Sequence, residues 1–205
     1  MEVNNFNQIR ELLQFNSPND FYFVQIIRRK KENPEMKERN NSYSRCIKSY
    51  YINSIEKFDT KKDEMIRLCE VFNARAYIKL NYCDAEKIAL QMLRQISEDV
   101  INKCVMHSMS CYDSCCGKYN GYDKDRKYWI IDLDGEECNY INEITTIVNE
   151  KCEPLDNSQK IVAKIPTKNG VHLLTKPFNI ATLHDTTGIG RDHIKKEALT
   201  LLFCI

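Results

Sequence analysis

Four absences bound this chain of 205 residues before any motif is read. Charge of one sign is missing: 30 Lys and Arg against 29 Asp and Glu leave a formal net charge of +1, which excludes a general polyanion binder held by bulk charge, although local basic patches survive such a balance. No stretch approaches the ~20 apolar residues that a membrane-spanning helix needs, so no membrane partner is expected. The start, MEVNNFNQIRELLQF, has no basic region followed by an apolar run, so no secretion signal is expected and the expected location is the cytoplasm. Internal repeats and low-complexity segments are also lacking. What is present, 42% hydrophobic and 29% charged residues, matches a globular chain long enough to bury a substantial core in one domain.

The ten cysteines are scattered through predicted helices and strands and do not form the dense framework of a small secreted domain, so most are expected to be reduced core residues. Cys104, His107, Cys111, Cys115 and Cys116 supply zinc-compatible ligands in a short stretch, against the alternative of reduced cysteines on a helix and loop.

Along the chain, Phe6, Ile9, Leu12 and Leu13 recur at helical spacing, and FYFVQIIRR reads as a buried strand running into the basic patch Arg28 to Lys31. After the polar loop KKENPEMKERNN, helical spacing is read first in Ile47, Tyr51, Ser54 and Phe58, then in Met65, Leu68, Cys69 and Phe72. A strand, ARAYIKL, follows, and Asp84 caps a long helix carrying Ile88, Met92, Leu93, Ile96 and Val100. Residues 105 to 126 have no clear period and read as a loop or boundary. Beyond them come strand 127 to 133, helix 139 to 150, strands IVAKIP and VHLLTK, an irregular stretch, and a final run LTLLFC. The class is α+β, a mostly antiparallel sheet with helices on one face. Asn169-Gly170 suits a tight hairpin turn at positive φ.

In KYWIIDLDGEE, strand alternation puts Asp132 and Asp134 on one face with Tyr128 and Ile130, and Trp129, Ile131 and Leu133 on the other. Two carboxylates sharing a strand end repel, an arrangement that a hard cation relieves; aspartates there also serve as turn formers or helix caps. His172, near the turn end of its strand, meets them if the two strands are neighbours; it equally suits a hydrogen-bonded structural role. Lys168 and Lys176 bracket it, and Gly170 permits close backbone approach. Arg75, Tyr77 and Lys79 alternate on one face of ARAYIKL, either as a nucleotide platform or as an ordinary solvent face.

The order of IIDLD, NGVHLL and a late acid resembles motifs I, II and III of the archaeo-eukaryotic primase superfamily, most closely its small primase-polymerase relatives from phages and mobile elements. That resemblance covers roughly the last 80 residues and implies an RRM-like metal-binding core over 127–205, preceded by an αβ unit over 1–105, within one catalytic domain spanning 1–205. It implies that Asp132 and Asp134 hold Mg or Mn, with Asp192 taken as the third acid and Asp185 its rival, and that His172 contacts a nucleotide phosphate; independently of the resemblance, the negative charge that builds in such a reaction makes Arg75, Lys168 and Lys176 candidate phosphate partners. Arg191 stands before Asp192 where the family usually has a hydrophobic residue, and Asn169 stands where a small hydroxyl residue is common. The implied partners are a nucleic acid template, nucleoside triphosphates, and a helicase or replication protein acting in trans. The competing expectations are a nucleotide or nucleic-acid binding module of the same fold that has lost its chemistry, and an Asp-x-Asp enzyme acting on a sugar nucleotide.

Overall fold

A computed structural model describes residues 2–36, 44–121, 123–155, 159–197 and 199–205; the expected polar loop therefore lies partly outside the described residues, at 37–41. The first half opens with β1 (Val3–Asn4), α1 (Phe6–Leu12), β2 (Asp20–Arg29) and β3 (Ser44–Ile52). It continues through α2 (Ile55–Phe72), β4 (Arg75–Lys79), β5 (Cys83–Asp84), α3 (Ala85–Ile101) and α4 (Cys111–Lys118). The second half contains β6 (Trp129–Asp134), α5 (Ile141–Glu150), β7 (Ile161–Pro166), β8 (Gly170–Thr175), α6 (Ile180–Thr187), β9 (Ile194–Lys195) and β10 (Leu199–Cys204). The protein is α+β, with two antiparallel sheets ordered β1-β10-β4-β2-β3 and β7-β8-β6-β9, and β5 paired to the start of β2. Among the described residues no helix is long and apolar enough to cross a membrane.

Helix ends follow local chemistry. The Ser54 hydroxyl accepts the Lys57 N–H at 3.1 Å to start α2, which stops at Asn73 in the left-handed region at φ 45°. Asp84 caps α3 by accepting the Lys87 N–H at 2.9 Å. In the first sheet, Tyr22, Val24, Ile26 and Ile78 pack under α1 and α2, while Phe21, Phe23 and Cys83 pack under α3 and α4. The second sheet buries Ile131 and Leu133 against α5 and α6 and turns Ile130, Ile165 and Leu174 toward the core beneath α1 and α2. Both faces of its central strand are therefore buried at Ile130 and Ile131; beyond them one face opens, with Asp132 half-buried and Asp134 exposed, while Leu133 on the other stays buried.

Four expectations are corrected. Ile47 and Tyr51 belong to a strand and not to a helix, because β3 pairs with β2 from Tyr22 to Arg29; Tyr50 and Ile52 face one side and Tyr51 the other. Residues 105 to 118 are helical: a 3-10 segment (Val105–Ser110) leads into α4, whose Cys111, Cys115 and Cys116 act as small apolar residues against Phe21, Phe23 and Ile88. Neither Asn169 nor Gly170 has positive φ; the hairpin closes through the Thr167 N–H bonded to the Gly170 carbonyl at 2.9 Å. Gly170 is required for proximity instead, since a Cβ there would lie 2.0 Å from the Leu133 carbonyl oxygen of β6. Finally, the run LTLLFC, expected within a core over 127–205, does not join the sheet of β6 to β9: as β10 it enters the first sheet between β1 and β4, where its apolar residues are covered on both faces.

The cysteines are all free; Cys69, Cys83, Cys111, Cys115, Cys116, Cys152 and Cys204 are buried. Cys104 and His107 are exposed while the Cys111 and Cys115 sulfurs, 4.0 Å apart, face the core, so the four do not converge on one point.

Candidate active site

Register decides the site. In the β6/β8 pair Asp132 lies directly opposite His172, and Asp134 opposite Gly170. Directly opposed residues share a face, so imidazole and carboxylate meet: His172 Nε2 is 3.2 Å from Asp132 Oδ1. His172 Nδ1 is 2.9 Å from the buried Thr200 Oγ of β10. An ionised carboxylate only accepts, so Nε2 carries the proton, and in the neutral ring Nδ1 accepts the Thr200 hydroxyl. Both ring nitrogens are engaged, which fixes the ring and holds Asp132; a phosphate contact by His172 requires one of these bonds to be exchanged.

The Asp132 carboxylate is held below its ordinary value of 3.8, first by the His172 hydrogen bond, against the upward push of partial burial, with Lys195 and His193 adding positive charge nearby. It is ionised at neutral pH. Among the described residues no hydrogen bond engages its Oδ2. Asp134 is exposed and forms a capping box with Glu137, whose carboxylate accepts the Asp134 N–H at 3.2 Å. The cap expected as an alternative for this aspartate is thus present, yet its side chain still borders the same cleft as Asp132. Two solvent-reaching carboxylates on one strand face fit a hard divalent cation that keeps water or substrate oxygens as its other ligands.

The cleft, about 510 Å³, lies between the two sheets: Asp132, Asp134 and His172 on one side, Arg75 and Tyr77 of β4 on the other, Lys168 at the hairpin. Glu32 sits among the cations. Arg75 Nε is 3.0 Å from both Glu32 carboxylate oxygens, a second guanidinium nitrogen reinforces the contact, and Lys168 Nζ lies at 3.6 Å. Burial pushes the Glu32 carboxyl up, but the Arg75 hydrogen bonds and charge outweigh it and its pKa is lowered. Lys168 also donates to the Ile205 carbonyl at 2.8 Å.

Several expected participants lie elsewhere. Lys79 is not part of a platform beside Arg75 and Tyr77: it is fully buried and donates to the carbonyls of Cys116 at 2.7 Å and Tyr119 at 2.8 Å. Lys176 does not line the cleft; four residues along β8 from His172 is roughly 13 Å, and its ammonium sits 4.6 Å from the Tyr128 ring centroid. Asp192 has a side chain 83% exposed and does not line the cleft either, and Asp185 rides on α6, the layer on the opposite side of the sheet from Asp132. Among the described residues no group of three His, Cys, Asp or Glu side chains is close enough to form a metal cluster. The β9 residue on the Asp132 face is Lys195, paired with Ile130. Sequence reasoning missed Glu32, Thr200 and Lys195 as neighbours of the site. Strand alternation in LTLLFC offered a signal only for the side of Thr200, none for its partner.

The low Asp132 pKa makes a stability prediction. A depressed folded-state value contributes stability that is present above the unfolded value, about 3.9 for Asp, and is lost as pH falls through the folded value. Urea unfolding followed from about pH 6 to about pH 3 is expected to show less acid destabilisation in Asp132→Asn than in the unaltered protein. Parallel curves would show that the pair with His172 adds no pH-linked stability.

Comparison of the chain with protein-family models, with curated proteins and with solved structures finds no match.

Proposed function

We propose that this protein is a metal-dependent nucleotidyltransferase of primase-polymerase type, adding nucleotides from nucleoside triphosphates to a nucleic acid. One observation carries the proposal: Asp132 and Asp134 share a strand face with His172 locked beside them, in a cleft that presents Arg75 from its far side and Lys168 from the hairpin. Extending a nucleic acid requires a 3′-hydroxyl to attack an α-phosphate, so negative charge builds where cationic groups must already be positioned. Asp132 and Asp134 are the residues to hold Mg or Mn, which when bound neutralises phosphate charge and favours the attacking oxygen. His172 keeps Asp132 ionised and oriented. Arg75 and Lys168 gather on Glu32, a carboxylate whose bidentate geometry matches a phosphate; the triphosphate takes its place. In this proposal the template and a helicase or replication protein acting in trans are partners, and the cytoplasm is the location.

A second function, binding of nucleotide or nucleic acid without chemistry, is favoured by Lys195 standing on the Asp132 face of β9 and by the lack of a third acid beside Asp132 among the described residues. The test is incubation of the intact protein with a primed template, nucleoside triphosphates and Mg or Mn. Metal-dependent extension is expected. Binding of template and triphosphate with no extension under either metal would reject transfer and select the binding function.

A further inference from the structure

A second concavity, about 300 Å³, lies at the other end of β6 and shares none of the carboxylates discussed above. Its wall is built around Arg126, which is 8% exposed and lies with its guanidinium 3.5 Å from the Tyr82 ring centroid. Both terminal guanidinium nitrogens donate to Asp20 Oδ2, at 2.7 and 2.9 Å, and the buried Arg126 Nε has no hydrogen-bond partner, its nearest carboxylate being Asp123 with Oδ2 at 3.8 Å. The backbone of Gly121 closes against the same ring, since a Cβ there would fall 1.9 Å from it. The floor is therefore rigid.

The rim is cationic. Lys118 at the end of α4 and Lys124 in the following link are exposed, and neither has an ion pair among the described residues; Lys87 and Lys127 complete the rim. The carboxylates that border the same space are Asp123 and Glu197, and Glu197 is 3.6 Å from Lys127. Cations gathered in a concave, partly desolvated place focus a positive potential that an anion relieves.

The position adds meaning to the charge. Glu197 borders this pocket and Leu199, two residues on, borders the cleft. From Lys127 to Asp132 the chain spans at most ~18 Å, about five phosphates of a duplex strand at 3.4 Å each. We infer that the pocket formed by Lys118, Lys124, Lys127 and Arg126 is a phosphate-ester site that takes the backbone of the nucleic-acid strand leading to the cleft. The strand being the one extended rests on the function proposed above; the anion site does not.

The ligand chemistry, a phosphate ester, also occurs in free nucleotides, and two probes separate the sources. Fluorescence anisotropy is read with a labelled single-stranded oligonucleotide and with a labelled nucleoside triphosphate, for the unaltered protein, for Lys118→Gln with Lys124→Gln, and for Asp132→Asn. Both lysines are exposed, so the fold is retained; a circular dichroism spectrum verifies it. Loss of two phosphate contacts is expected to flatten the slope of log K against log salt by about 1.4 and to weaken oligonucleotide binding about 25-fold at 0.1 M salt, with the difference vanishing towards 1 M. Asp132→Asn is expected to keep the full slope. An unchanged slope and affinity in the lysine variant, or no oligonucleotide binding by the unaltered protein, overturns the inference. Weakening of triphosphate binding alone overturns the backbone assignment and gives the pocket to a free nucleotide. Failure of the proposed transfer activity reads out differently, as absent incorporation with oligonucleotide binding intact.

Discussion

Asp132→Asn is expected to lower metal-dependent nucleotide incorporation by about 10²–10³-fold or more, the scale seen when one preorganised electrostatic partner of a transition state is removed. The substitution changes charge and little else. An Asn carbonyl oxygen can still accept the His172 Nε2 proton at the position of Oδ1, so the β6/β8 register and the His172 to Thr200 bond have no reason to move. What disappears is the negative charge that a divalent ion needs, in a place where only Asp134 remains on that face. Asp134→Asn is expected to follow the same direction, with an added small loss of stability because Asp134 also caps the turn after β6. Incorporation rates measured against metal concentration, with thermal unfolding as a control, check both. Undiminished incorporation by Asp132→Asn would remove this carboxylate from the chemistry.

Asp20→Ala is expected to cost about 3–5 kcal/mol of folding stability, the penalty for leaving one member of a buried ion pair uncompensated. Asp20 is 3% exposed at the start of β2 and accepts both guanidinium nitrogens of Arg126 as well as the Asn16 N–H at 3.0 Å. With the carboxylate gone, Arg126 stays pinned over Tyr82 with its terminal nitrogens unpaired and only the part-exposed Asp123, 3.8 Å from its Nε, to answer its charge. Against a typical total of about 5–15 kcal/mol, that loss leaves a protein close to unfolding at 37 °C. Asp20→Asn, which keeps an acceptor, is expected to lose less. Equilibrium urea denaturation gives both numbers, and a loss below about 1 kcal/mol for Asp20→Ala would mean that the pair behaves as a solvated one.

Most strands were legible because their residues are β-branched or aromatic and their lengths are short: 20–29, 75–79, 129–134, 161–166, 170–175 and 199–204 all form where the composition points. The segment 44–52 was not, because Ile47, Tyr51, Ser54 and Phe58 happen to fall at helical spacing while the real constraint is the long partner β2, which no local window contains. Cysteine hid α4 for a related reason: its buried face is Cys111, Cys115 and Cys116, residues that also read as ligands.

At the site the same division holds. Alternation along β6, together with a hairpin that returns His172 toward the start of its strand, was enough to anticipate that imidazole and Asp132 share a face. Glu32 and Arg75 are 43 positions apart and His172 and Thr200 are 28 apart, and nothing within either segment announces its partner. Lys176 shows the opposite error. Closeness to His172 along the chain became separation along an extended strand.

The placement of β10 reaches into biosynthesis. While the polypeptide is emerging, β4 has a bare flank of unpaired amides and carbonyls, and Val3–Asn4 has no ladder to join, until residues 199–204 arrive to wedge between them. That sheet is thus sealed by a strand made well after its other strands. Until that strand is in place the flank of β4 is an open edge of the kind that pairs with other chains.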